Sequence, residues 1–117
     1  MRPTFAVRIA VSALLAGITT AAAAPAPHRC AADAIERGMP LLKLHFETTD
    51  ELCSAGVQPN VKVLPPIRAL RGNARLDVLE VWAYVNKADY RMRFIYRQSK
   101  GDCTLMGQEI LDASDPN

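Results

Sequence analysis

The sequence predicts an α+β domain, in which an N-terminal helical layer packs on a three- to four-stranded antiparallel meander after a cleaved signal peptide. Three observations predict it. The chain begins with an apolar segment that ends in small residues, and apolar residues then recur at helical spacing. Two neighbouring segments of the second half are rich in β-branched and aromatic residues. Because the chain has only 117 residues, we expect a single small domain.

Residues 1–23 have the layout of an export signal. Arg2 and Arg8 precede an uncharged stretch that ends in alanines at 21–24. This stretch is shorter and less hydrophobic than the roughly 20 apolar residues that a membrane-spanning helix needs. We therefore predict cleavage after Ala23 and a periplasmic or secreted protein with no membrane span after cleavage.

The remaining chain divides into a proline-rich tether at 24–29 and a single small α+β domain at 30–117. The whole chain has 14 basic and 12 acidic residues, and removal of Arg2 and Arg8 leaves 12 of each. This formal neutrality gives no reason to expect nucleic acid or an anionic membrane as a partner. The segment 61–100 is basic and its flanks are acidic, which favours charge complementarity within the domain.

The first half predicts two helices. Residues 31–37 favour a helix, Gly38 resembles a helix stop, and Pro40 fits the first turn of a second helix. Apolar residues at helical spacing extend this second helix to Cys53. An alternation of apolar and polar residues over 41–47 also fits a strand, and that alternative stays open.

The second half predicts the sheet. The prolines at 59, 65 and 66 limit any strand there to a short one at the edge, and residues 71–75 form a turn around Gly72 and Asn73. Two long strands follow at 77–86 and 89–97. A last strand spans 103–111, with a bulge at Gly107.

The alternation in the two long strands predicts a buried face and an opposite, polar face. With Lys87 and Ala88 as the turn, one register places eight apolar or aromatic residues on the buried face. The paired residues are Val85 with Tyr90, Ala83 with Met92, Val81 with Phe94, and Leu79 with Tyr96. On the opposite face, the same register pairs Trp82 with Arg93, Tyr84 with Arg91, and Val78 with Arg97.

Three cysteines in an exported protein predict one disulfide and one unpaired thiol. If the second helix ends near Cys53 and packs on the sheet, the preferred pair is Cys53–Cys103. Cys30 could instead pair with either of the other two, and spacing does not decide between these alternatives.

The polar face predicts the function. Guanidinium groups bind carboxylates in a fork geometry, and aromatic rings provide contact area, so Trp82, Tyr84, Arg91, Arg93 and Arg97 are the predicted binding residues. The hypothesis is a non-enzymatic binding module of the inhibitor or immunity type, with a protein or an anionic glycan of the cell envelope as its partner. The alternative for these residues is a solvated face on which arginine stems shield the rings.

No pattern in the sequence indicates a catalytic, metal or cofactor site. His28, Cys30, His45 and Cys53 match no compact set of metal ligands, and a Cys53–His45 pair would lie about two helical turns apart. Two alternative hypotheses remain, namely a small periplasmic thiol-dependent enzyme or redox protein that uses Cys30 or Cys53, and a structural envelope component.

Overall fold

The computed structural model describes residues 27–48 and 50–113, together with the single positions 10, 12 and 17. The predicted signal peptide at 1–23 lies almost entirely outside the described residues, and its cleavage stays a prediction. One α-helix packs on a four-stranded antiparallel sheet with the strand order β1-β2-β3-β4. This confirms the predicted α+β meander with a helical N-terminal layer.

The helix α1 spans Ala31–His45, and a short 3-10 helix spans Asp50–Ser54. The strands are β1 at Gly56–Arg68, β2 at Arg75–Val85, β3 at Ala88–Arg97 and β4 at Leu105–Asp112. In the described part of the chain, no helix is long and apolar enough to cross a membrane.

The prediction of two helices that meet at Gly38 is wrong, because α1 continues through Gly38 and contains Pro40. Gly38 is buried against the sheet. A Cβ atom at this position would lie 2.9 Å from both methyl groups of Val57 and 3.1 Å from Cε of Met92. The glycine therefore permits close packing of the helix on the sheet rather than ending the helix.

The helix also ends earlier than predicted, at His45 rather than near Cys53. Phe46 is already extended, and its ring packs edge-on against Tyr90 at a centroid distance of 5.4 Å. Residues 41–45 are helical, so the strand alternative for 41–47 is also wrong. Strand β1 begins at Gly56, three residues after Cys53.

Strand β1 lies at the edge of the sheet, as predicted, but it is 13 residues long rather than short. Its pairing with β2 is irregular between Val57 and Val61 and again between Leu64 and Ile67. Both irregularities contain prolines, which have no N–H to donate to a neighbouring strand. The prolines thus interrupt the ladder without ending the strand.

The predicted register of the β2–β3 hairpin is wrong by two residues, because the turn consists of Asn86 and Lys87. Asn86 has a φ of 54°, a left-handed conformation that asparagine tolerates better than most residues. Its backbone N–H donates to Oγ of Ser54 at 3.2 Å. A contact from the distant 3-10 helix therefore holds this turn, and the local pattern contained no sign of it.

A shift of two residues leaves every side chain on its predicted face. All eight residues predicted for the buried face are buried, and we call this face the inner face. Ala34, Leu41 and Leu42 of α1 pack on it in the same apolar cluster. The predicted division into a buried and a polar face is thus correct, although the pairing is not.

The preferred disulfide Cys53–Cys103 is wrong. The structure has a disulfide between Cys30 and Cys103, with their Cα atoms 5.6 Å apart, and Cys53 is unpaired and exposed. Cys30 directly precedes α1, at the helix end that lies near the beginning of β4. The other helix end lies near the β2–β3 turn, and Cys53 follows it there. The disulfide is consistent with an oxidising, extracytoplasmic compartment.

Candidate binding face

The outer face of the sheet, opposite α1, carries all five predicted binding residues. Because neighbours in a strand point to opposite faces, Trp82 and Tyr84 of β2 and Arg91, Arg93 and Arg97 of β3 share this side. Both described helices pack against the inner-face cluster. The outer face is therefore uncovered in the described part of the chain.

The cross-strand pairs on this face differ from the predicted ones. Trp82 lies opposite Arg91 rather than Arg93, and Tyr84 lies opposite Asp89. Val78 lies opposite Ile95 rather than Arg97. The corrected register makes Arg91 the guanidinium group directly beside the indole of Trp82.

Glu80 organises the centre of the outer face. It is 6% exposed, and its carboxylate accepts hydrogen bonds from Nε1 of Trp82 at 3.0 Å and from Nε of Arg93 at 3.2 Å. Arg93 also forms an ion pair with Glu109 at 3.6 Å. The charge of Arg93 is therefore compensated within the domain, and the position of the indole is fixed.

Sequence reasoning did not assign this role to Glu80. The signal that could have found it is its spacing of two residues from Trp82 in the same strand, which places both side chains on one face. A carboxylate on the same face as an indole N–H and an arginine has hydrogen-bond donors within reach.

Arg91 differs from Arg93. It lies between Trp82 of β2 and Leu111 of β4 and is only partly exposed. Its Nε atom is buried and has no hydrogen-bond partner. The guanidinium group of Arg91 forms no ion pair with any described residue. An unsatisfied buried donor on a cation disfavours the free protein by about 1–3 kcal/mol. A carboxylate of another molecule that contacts the accessible part of this guanidinium group would compensate its charge.

Tyr84 and Leu111 supply exposed apolar surface near Arg91. Their side chains are 45% and 52% exposed. The ring of Tyr84 lies over Gly56 of the neighbouring strand, where any Cβ atom would overlap with the phenol. Gly56 therefore allows this ring to lie flat on the sheet, a role that the sequence pattern did not reveal.

Arg97 does not belong to this cluster. It lies opposite Leu76, six residues along β2 from Trp82, which corresponds to about 20 Å along a strand. The structure therefore brings together four of the five predicted residues and separates the fifth. We call the set Trp82, Tyr84, Arg91 and Leu111 the outer patch.

The titratable groups at the inner face connect the helix to the sheet. Tyr96 is fully buried and donates to Oδ2 of Asp33 at 2.7 Å, and Nε of Arg37 donates to the same oxygen at 2.7 Å. Burial, together with the hydrogen bond to Asp33, raises the pKa of Tyr96 far above its usual value. Burial acts to raise the pKa of Asp33, but the hydrogen bonds from Arg37 and Tyr96 outweigh it and lower that pKa.

His28 forms a second connection at the beginning of the described chain. Its Nδ1 accepts from the backbone N–H of Cys30 at 3.0 Å, so in the neutral ring the proton is on Nε2, which lies 3.0 Å from Oδ2 of Asp77. Gln98 donates to the other carboxylate oxygen at 2.7 Å. Burial acts to raise the pKa of Asp77, and the hydrogen bonds from Gln98 and His28 lower it overall.

Cys30 and His45, two of the residues considered as metal ligands or nucleophiles, have structural contacts in the described part of the chain. Cys30 is consumed in the disulfide, and the ring of His45 packs edge-on against Phe46 and Tyr90. No group of three or more His, Cys, Asp or Glu side chains in the described residues is placed to hold a metal ion.

Comparison with known proteins yields no match: no protein family, no curated protein and no solved structure has significant similarity to the chain.

Proposed function

We propose that this protein is an exported, non-enzymatic binding module whose outer patch binds a carboxylate-bearing surface of another protein, as an inhibitor or immunity-type protein does. The observation that carries the proposal is Arg91, a cation with a buried, unsatisfied N–H on a sheet face that no described helix covers. A partner carboxylate that contacts the accessible part of this guanidinium group gains a charge-assisted hydrogen bond, which is stronger than one between neutral groups.

The surroundings of Arg91 support a protein partner. Tyr84 is an exposed aromatic group beside a cation, and tyrosine and arginine are enriched at the centres of protein interfaces. Leu111 adds exposed apolar area. Trp82 is held by Glu80, so its ring loses little freedom when a partner packs against it. The arrangement is therefore preorganised for contact.

The test is photo-crosslinking in an envelope extract. A photoreactive phenylalanine analogue replaces Tyr84 in one variant and Arg97 in a control variant, since Arg97 shares the face but lies outside the outer patch. We expect a defined adduct from position 84 only. The adduct should disappear when Arg91→Gln is added, because the substitution removes the charge and keeps most of the stem.

Two further measurements make the result decisive. The stability of Arg91→Gln should be no lower than that of the parent chain, because the substitution removes the buried N–H that has no partner, so that lost binding is not lost folding. An adduct that is degraded by glycosidases but not by proteases acting on the partner would identify an anionic glycan as the ligand. Equal adducts from both positions, or an adduct that persists in Arg91→Gln, would contradict the proposal.

A further inference from the structure

The hairpin that joins β1 and β2 carries a concentration of positive charge. From Leu52 to Leu76 the chain contains no Asp or Glu. The same stretch contains Lys62, Arg68, Arg71 and Arg75. The balance of 12 basic and 12 acidic residues that remains when Arg2 and Arg8 are excluded thus conceals a strongly basic hairpin, which we define as residues 62–75. Almost every residue from Pro65 to Arg75 is exposed.

The cations of the basic hairpin are not compensated within the described structure. None of the four forms an ion pair with a described residue. Arg68 and Arg75 are direct cross-strand partners, an arrangement of like charges that destabilises a pair of strands. Arg71 lies in the loop between them. The expectation that the basic centre is neutralised by the acidic flanks is therefore wrong for this hairpin.

Exposed apolar side chains accompany these charges. Leu70 lies in the loop and is fully exposed, and Val63 and Ile67 are 55% and 42% exposed. Val63 pairs with Leu79 of the inner face, whereas Ile67 pairs with Leu76 on the outer side. The hairpin therefore presents apolar groups at its tip and on both of its sides.

We infer that the basic hairpin docks on the surface of an anionic phospholipid bilayer. Headgroup phosphates would neutralise the facing arginines, and Leu70 would enter the boundary between headgroups and acyl chains. A protein surface would cover one side of the hairpin, but a lipid layer surrounds a protruding tip on all sides. This is why the two-sided exposure favours lipid. The inference is independent of the outer patch and of its partner.

The experiment measures binding of the exported protein to vesicles, with its N-terminus determined by mass spectrometry. One set of vesicles contains phosphatidylglycerol and phosphatidylcholine, and the other contains phosphatidylcholine alone. Binding to the anionic vesicles should be much stronger and should weaken as salt is added. Any contribution from residues 1–26 is equal in all variants, because they share the same N-terminus.

The charge variant is Arg68→Gln/Arg71→Gln/Arg75→Gln. Its matched control removes three exposed cations elsewhere, Lys43→Gln/Lys87→Gln/Lys100→Gln. Each basic residue near an anionic surface changes the partition by about fivefold, so the hairpin variant should bind roughly a hundredfold more weakly. The vesicle affinity of the control should stay within about threefold of that of the parent chain, although the control has the same net charge as the hairpin variant.

The apolar contribution is tested with Leu70→Ser against Leu44→Ser, an exposed leucine of α1. We expect Leu70→Ser to bind anionic vesicles about tenfold more weakly than the parent chain, and Leu44→Ser to bind them as strongly as the parent chain. Soluble polyglutamate serves as the rival ligand. The inference is overturned if the parent chain does not bind anionic vesicles more strongly than neutral ones. It is also overturned if the hairpin variant and the control lose the same amount of binding. It is also overturned if polyglutamate binds as tightly as vesicles and Leu70→Ser has no effect, since an acidic protein would then be the partner.

Discussion

The two faces of the sheet are built from alternate residues of the same strands, yet they use polar groups differently. On the inner face, the buried hydroxyl of Tyr96 has a carboxylate partner, and that carboxylate has a second donor from the helix. On the outer face, Glu80 is satisfied but the neighbouring Arg91 has a buried N–H without a partner. The inner face therefore holds the domain together, and the outer face is the one for which we propose binding of another molecule.

The largest expected effect comes from the disulfide that anchors the inner-face helix. The double variant Cys30→Ser/Cys103→Ser should lose about 4 kcal/mol of unfolding free energy, because a cross-link over 73 residues restricts the unfolded chain. Urea denaturation measures this loss. Cys53→Ser, which removes the exposed unpaired thiol, is the matched control and should leave the midpoint unchanged. A loss of the same size in the control would mean that Cys53 is the paired residue.

The second expected effect contrasts a glycine on each face. Gly38→Ala forces a methyl group against Val57 in the packed core, so we expect a net loss of about 1 to 2 kcal/mol after a small gain in helix propensity. In Gly56→Ala the atoms nearest to the new methyl group belong to the ring of Tyr84, whose 45% exposure leaves space for it to move. Its stability should change by less than about 0.5 kcal/mol.

The glycine comparison has a second readout on binding. Because Tyr84 must leave its position over residue 56, Gly56→Ala should weaken binding of the proposed partner. The midpoint of thermal unfolding should stay nearly unchanged. Gly38→Ala should show the reverse pattern. Equal stability losses for the two variants would remove the distinction between a tightly packed inner face and a less tightly packed outer one.

The smallest expected effect concerns acid. The pKa of Asp33 is lowered from 3.8 by its hydrogen bonds to Arg37 and Tyr96, despite the opposing effect of burial. A carboxyl group whose pKa is lower in the folded state stabilises the protein above the unfolded value and loses this contribution as the pH falls through the folded one. Stability should therefore fall below about pH 4.

The matched variants are Asp33→Asn and Asp89→Asn, the latter on the exposed outer side of β3 and without an ion pair in the described structure. Asp33→Asn should reduce stability at pH 7 by roughly 1 kcal/mol and flatten the decline between pH 5 and pH 3, as measured by urea midpoints. Asp77, whose pKa is also lowered, leaves a residual slope. An unchanged acid profile in Asp33→Asn would show that the helix contact does not depend on this charge.

Alternation along the strands was enough to predict the two faces, since side-chain direction depends only on whether a residue is odd or even. The register was not predictable in this way, because Ser54 holds the turn at Asn86 from more than thirty positions away. The role of Gly38 was predicted wrongly, because a single sequence does not distinguish a glycine that ends a helix from one that allows close packing of the helix on the sheet. The direction of the helix across the sheet, which decides between the cysteines, is likewise a tertiary property.

The sequence predicted only part of the candidate site, because alternation gives the face of a residue but not its cross-strand partner. Trp82, Tyr84 and the arginines were placed on one side by alternation alone, but which arginine remains uncompensated depends on Glu80 and Glu109. Those contacts follow from the true register, and the sequence predicted a different one.

The bond between Cys30 and Cys103 also sets an order of events during biosynthesis. Cys103 is made 73 residues after Cys30. Until it emerges, the thiol beside the helix can react only with Cys53 or with a foreign thiol. A nascent chain that ends within β3 therefore contains two free thiols, those of Cys30 and Cys53. The native disulfide can form only after almost the entire polypeptide has been made.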